Sequence, residues 1–318
     1  MTTPTSSAPL GGDVRRARRV CLELGLVRRI APATGLILLV LALDGLVFSR
    51  SSSLHLSLAT GAEPLLVPLP ILGFALYYAR WREGEERIAE TLLLVAMTLW
   101  FTQAFGLASY LILDASPHDG DAALAAVDQL LGVSTTAIAD WVAARPLLNL
   151  GLELAYASFL VQFILVAVAL GLLLGDTRAA WQWLTMCVFG AALGMGLFWF
   201  FPAKGPPALA LHPSLDQLDF LRQYDAVRAA TPFHFTVPQA TGIITFPSFH
   251  TFFGLANVWA FRGHRRAFVA MALLNACMIA ATVTTGWHYA ADVLASFALA
   301  AAAIGLVHAY EAAVGDGA

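Results

Sequence analysis

Two short strings in the C-terminal third of this 318-residue chain bring together side chains that can move protons and attack an electrophile. One is Pro247-Ser248-Phe249-His250; the other is Trp287-His288-Tyr289-Ala290-Ala291-Asp292. His288 and Asp292 are spaced i, i+4, which puts both side chains on one face of a helix. A carboxylate there can accept a hydrogen bond from one ring nitrogen and leave the other free to attack, the logic of a nucleophile with an orienting group. His250 follows a proline at the start of an apolar run, and proline suits a helix's first turn, where its missing N–H would be unpaired anyway. That turn, with Ser248 beside it, offers free N–H groups and a positive dipole end to an anion such as phosphate. A lone histidine at a helix end is more often an interfacial residue than a catalyst, and a His/His/Asp set can also bind a metal. Neither alternative accounts for both strings together.

The elements that must position these residues are apolar helices. The chain is 59% hydrophobic and 12% charged, against roughly 25% charged in soluble domains. Apolar runs recur at 31–49, 62–80, 89–113, 148–174, 180–201, 247–262, 267–286 and 289–311, each near the ~20 residues that cross a hydrocarbon core. A lone segment in lipid satisfies its backbone only as a helix. The expected fold is therefore all-α, a polytopic bundle of about eight spans. The sixth run is short and starts at a proline, which sets its outer end below the membrane surface. Residues 1–12 are Ser/Thr/Gly/Pro-rich and read as disordered. Net charge is −3, and nothing in the chain suggests a nucleic-acid partner. Cys21, Cys187 and Cys277 form no spaced framework, so neither a disulfide nor a zinc site is implied.

Arginines orient the bundle. Arg15 to Arg29, the 80–88 loop, Arg178 and the turn with Arg262, Arg265 and Arg266 all fall on one side of an eight-span chain. That side is expected to be cytoplasmic, with both termini. The opposite side holds loops 114–147 and 202–246. In the first of these, Leu124, Val127, Leu130 and Leu131 repeat at helical spacing among five aspartates. That pattern reads as an amphipathic helix lying on the outer surface. The topology brings His250 and His288 to the same outer face. Gly190 and Gly194 read as a close-packing pair, and Asn257 and Asn275 as interhelical hydrogen bonds.

These residues resemble the type-2 phosphatidic acid phosphatase superfamily, whose motifs read Lys-x6-Arg-Pro, Pro-Ser-Gly-His and Ser-Arg-x5-His-x3-Asp. Here Phe249 stands for the glycine, Ala281 and Thr282 stand where Ser-Arg is expected, and Leu211-His212 fall at Arg-Pro. These departures resemble the branch of inositol-phosphorylceramide synthases, with Phe201-Pro202-Ala203-Lys204-Gly205-Pro206-Pro207 closing the span before the long outer loop. The resemblance covers roughly 89–312. It implies a six-helix catalytic core over 89–312, preceded by a basic N-terminus (1–30) and two added helices (31–88). It also implies that His288 attacks phosphorus, that Asp292 orients it, and that His250 gives a proton to the leaving oxygen, with no metal or other cofactor.

Lys204 and Ser248 would bind phosphate, with Arg222 and Arg228 reaching in from the 202–246 loop. Glu153 and Tyr156 on the fourth span are candidate partners of a histidine, or simply interhelical hydrogen bonds. So thin a cationic clamp favours a phosphodiester donor and head-group transfer to an alcohol. Hydrolysis of phosphatidic acid, phosphatidylglycerol phosphate or a polyprenyl diphosphate is the alternative. A transporter or scaffold is the reading from another class. The expected partners are the bilayer and a lipid with a phosphate or phosphodiester head group. The expected site is the cell (inner) membrane, with the active face toward the periplasm or outside.

Overall fold

The computed structural model describes residues 11–51, 53–56, 63–82, 84–210, 213–229, 232–236 and 242–315. Residues 1–10 and His212 lie outside them. Helix α1 (Gly11–Phe48) leads, followed by strand β1 (Leu54–Leu56), α2 (Glu63–Leu66), α3 (Pro68–Trp81) and α4 (Glu86–Ala115). Two short helices follow, α5 (Asp121–Leu130) and α6 (Thr135–Ala143). Next come α7 (Pro146–Ala157), α8 (Phe159–Val168) with a π-helical turn (Ala169–Leu173), and α9 (Thr177–Phe200). The long loop holds a 3-10 turn (Pro206–Leu209), α10 (Leu215–Arg228) and β2 (Phe233–Phe235). The chain ends with α11 (Phe249–Ala260), α12 (Arg265–Thr284) and α13 (Ala290–Gly315).

The bundle is all-α, as expected. Among the described residues five helices are long and apolar enough to cross a membrane: Val27–Phe48 within α1, α4, α9, α12 and most of α13. Two bent pairs pass the same test when each is taken together: α5–α6, bent by 79°, and α7–α8 with its π turn, bent by 51°. The protein is thus a multi-pass membrane protein. Two of the eight expected spans are shorter than a bilayer needs. Pro68 and Pro70 break the second into α2 and α3, and the sixth, α11, has 12 residues. At 1.5 Å per residue α11 extends about 18 Å, so its start sits at depth within the bundle. The helix of the first span begins at Gly11, so residues 11–30 are helical and not a loose lead.

Helix α9 is the hub. Ala180, Trp183, Leu184, Cys187, Val188 and Ala191 are fully buried on it. The close-packing reading of its glycines holds. A Cβ on Gly190 would overlap the Phe252 ring, and one on Gly194 would lie 2.5 Å from Phe249 Cε1. Each missing side chain leaves a seat for a phenylalanine of α11, which fixes the height and rotation of that helix. β1 and β2 form a short parallel pair, Leu54 beside Phe233, tying the first loop on the α11-start side to the long loop.

Candidate active site

The start of α11 is built from its own sequence. Ser248, fully buried, caps the helix, its Oγ accepting from Thr251 N at 3.3 Å. Pro247 therefore sits one residue before the cap rather than inside the first turn. His250 is the second helical residue. Its ring makes no hydrogen bond among the described residues and is held by other rings. Tyr156 stacks on it at 4.0 Å between centroids, and Phe159 lies at 4.1 Å. The bend at Ser158 presents both rings. A buried relay holds that bend: Trp183 Nε1 donates to Asn257 Oδ1 (2.9 Å), Asn257 Nδ2 to Gln162 Oε1 (3.0 Å), and Gln162 Nε2 to Ser158 Oγ (2.9 Å). The interhelical expectation thus holds for Asn257. It fails for Asn275, whose Nδ2 donates to Met271 O of its own helix and whose Oδ1 is unpartnered.

His288 sits in the turn before α13, where Gly286 takes φ 75°. Its Nδ1 lies 2.8 Å from Thr245 O and 3.3 Å from Asp292 Oδ2. Both neighbours are acceptors, so Nδ1 carries the proton and the lone pair is on Nε2, a tautomer assigned from its partners. Asp292 Oδ2 also accepts from Tyr289 N at 2.9 Å, while Oδ1 is buried with no partner. The two motifs are bonded to each other. Ser248 N donates to Asp292 O (3.3 Å), and Ser296 Oγ contacts both Ser248 O (2.9 Å) and Asp292 O (2.7 Å). The His250 and His288 ring centroids are 6.0 Å apart.

Sequence reasoning missed what holds the start of α13. Asp128, 4% exposed, accepts from Ala290 N (3.0 Å) and Ala291 N (2.9 Å), satisfying two of the orphan donors that open a helix. Asp121 accepts from Lys204 N (2.8 Å) and Gly205 N (2.9 Å). The amphipathic helix expected over 114–147 forms as α5, its carboxylates turned toward the protein and most of its leucines outward. Leu124 is buried, but Val127, Leu130 and Leu131 are 40%, 89% and 49% exposed, while the aspartates seven residues apart face the protein. Their i, i+7 spacing was the available signal. Helix α10, read as loop, is opened by a capping box of Ser214 and Gln217, and Gln217 Nε2 donates toward Thr285 O and Gly286 O, each at 3.3 Å.

A cavity of about 550 Å³ opens in front of the histidines. His250, His288 and Tyr156 line it, with Trp287 and Phe220. Asp292 is fully buried behind His288. The other candidates fall elsewhere. Ser248 is spent on its cap. Lys204 Nζ pairs with Asp225 Oδ1 at 2.6 Å, beside a Tyr224 hydroxyl that burial pushes up. Arg222 Nε turns back to Leu218 O at 3.4 Å. Arg228 donates to Ser116 O and, at 2.8 Å, to His118 O. Glu153 is exposed and accepts from Asn149 one turn earlier at 2.8 Å. Among the described residues no three His, Cys, Asp or Glu are grouped to hold a metal ion.

Fold and site together define a class: a multi-pass helical membrane protein with a histidine–aspartate pair and a second histidine meeting at the starts of two helices. The family model described as the PAP2 superfamily matches residues 122–306, more than half of the chain, and the chain belongs to that superfamily. Its members are phosphatases and phosphotransferases that act on phosphorylated, lipid-like substrates. No curated protein and no solved structure matches the chain.

Proposed function

We propose that the protein is a membrane phosphotransferase that breaks a lipid phosphodiester through a phosphohistidine and passes the phospho-head group to an alcohol. The observation that carries this is the pair of acceptors at His288 Nδ1, Thr245 O and Asp292 Oδ2, which assigns the proton to Nδ1 and leaves Nε2 with no partner among the described residues. In the first step Nε2 attacks phosphorus, a P–N bond forms, and the P–O bond to the leaving group breaks. His250, in its protonated form, gives that oxygen its proton. In the second step an alcohol oxygen attacks phosphorus, the P–N bond breaks, and His250 takes the alcohol's proton. Positive charge develops on His288 as it attacks, and Asp292 lies against it with one oxygen unpartnered. A buried polar atom left in that state calls for an explanation, and electrostatic stabilisation of the imidazolium supplies one.

Transfer from a diester is favoured over hydrolysis of a monoester because no lysine or arginine lines the cavity among the described residues. A diester carries one negative charge, which the N–H groups opening α11 can share. No step in this scheme uses a metal. The relationship to the inositol-phosphorylceramide synthase branch belongs to this proposal. So do the division into a core at 89–312 with two added helices, and a site facing the outside of the cell (inner) membrane. The test is incubation of the purified protein with a panel of lipid phosphates and phosphodiesters, with and without acceptor alcohols, and mass spectrometry of all products. Fast phosphate release from phosphatidic acid with no transfer to any alcohol would overturn the transfer reading.

A further inference from the structure

The lining of the cavity carries carboxylates and rings as well as the histidines. On α10, Asp216, Asp219 and Phe220 are spaced i, i+3 and i+4, and all three line the cavity. Both aspartates are exposed rather than spent on packing. Asp219 is aimed by a relay: Tyr110 OH donates to Gln223 Oε1 (2.5 Å), and Gln223 Nε2 donates to Asp219 Oδ2 (2.8 Å). Tyr110 and Gln223 are themselves buried. Beyond Phe220 stands Trp287, the two centroids 5.9 Å apart, and Trp287 is nearly parallel to Tyr156 at 6.1 Å. Two polar atoms on residues lining the cavity lack partners among the described residues. One is Nε2 of His288, a residue 3% exposed whose bonds are all made by Nδ1; the other is Gln103 Oε1.

Two carboxylates on one helix face beside aromatic faces make a poor home for a dianionic phosphate and a good one for an organic cation. The carboxylates supply charge, and the negative faces of Trp, Tyr and Phe attract an ammonium electrostatically. We infer that the cavity selects a substrate whose head group bears an ammonium, held by Asp216, Asp219, Phe220 and Trp287 while its phosphoryl group meets His288. This deepens the proposed function and rests on His288 as the nucleophile. The ammonium can belong to the lipid donor (a phosphoethanolamine or phosphocholine head group) or to an amino-alcohol acceptor. The chemistry recognised is the same in both cases.

The test uses the full-length protein in lipid nanodiscs. In the donor arm, phosphatidylethanolamine and phosphatidylcholine compete with phosphatidylglycerol, a diester whose head group is an uncharged alcohol. In the acceptor arm, ethanolamine competes with glycerol on a phosphatidylglycerol donor. The expected result is a preference of at least about tenfold for the ammonium-bearing partner in one arm, falling toward unity in D216N/D219N. Both changes are on an exposed face, so the variant is expected to fold. His288-dependent turnover that favours the uncharged partner in both arms, or a preference that survives D216N/D219N, overturns the inference and leaves the proposed function standing. If H288A leaves turnover unaltered, or no lipid is turned over, the proposed function fails. The ammonium site is then judged by binding alone. Zwitterionic lipid should raise the Tm of H288A more than phosphatidylglycerol does, and D216N/D219N should remove the difference. Equal Tm values overturn it.

Discussion

In the proposed reaction, His288 owes its chemistry to two acceptors on one nitrogen. A ring whose Nδ1 faces both Thr245 O and a carboxylate has one tautomer available, and its other nitrogen is nucleophilic without help from a base. Replacing His288 by alanine should lower turnover by about 10³-fold or more while the protein stays folded. Removing His250 should cost about 10²–10⁴-fold, the usual contribution of a positioned acid–base group. Initial rates on whichever lipid the substrate panel identifies check both, and wild-type rates from H288A would refute the catalytic reading. Asp128 acts one step away. Its carboxylate caps the helix that carries Asp292 and lines up the turn that carries His288. Asp128→Ala would leave the N–H donors of Ala290 and Ala291 without their partner, a loss of about 1–3 kcal/mol for a buried group such as the Ala291 N–H. A lowered unfolding midpoint in detergent, together with reduced activity, is the expected outcome.

Helices meet at the site because two glycines of α9 accept two phenylalanines of α11. The residue that departs from the Pro-Ser-Gly-His motif, Phe249, is the one seated against Gly194. The departure is therefore matched by a gap on the neighbouring helix. Gly194→Ala should overpack this contact at a cost of about 1–3 kcal/mol. Phe249→Ala in the same chain should relieve it. A double-mutant cycle on thermal unfolding should then show a coupling of about 0.5–3 kcal/mol; additive effects would mean that the two residues do not share the contact. The bend between α7 and α8 is a second such device. It is fixed by amides reaching from α8 and α11 to the indole of α9. These joints were only partly legible. The glycine spacing and Asn257 stand out in an apolar sequence, but the partner of each depends on helix rotation.

Across the whole molecule, the short α11 and the returning α12 place both histidines at one end of the bundle and the 261–264 turn at the other. If the arginine-rich ends are cytoplasmic, a cysteine placed at Asp119 in a cysteine-free background should react with a membrane-impermeant reagent in intact cells. One placed at Gly263 should react only after lysis. The opposite pattern would invert the proposed orientation.

The helical class, most spans and the two histidine motifs could be read from the chain without coordinates, because each rests on local rules. An apolar run in lipid has to be a helix, and an i, i+4 pair shares a face in any helix. What faces inward could not be read this way. Lipid is as apolar as a protein core, so the leucine stripe of α5 carried no information about which side was buried. Its aspartates turned inward because backbone donors near 204 and 290, remote in sequence, converge there. The same holds for the cations and carboxylates around the reacting histidines. Lys204, Arg222 and Arg228 found partners outside the cavity, and Asp216 and Asp219 came to line it, because α10 packs against the turn before α13 through Gln217. His250 and His288 thus remain the centre of the candidate site, but the tertiary structure alone lines their cavity with carboxylates and rings in place of a cationic clamp.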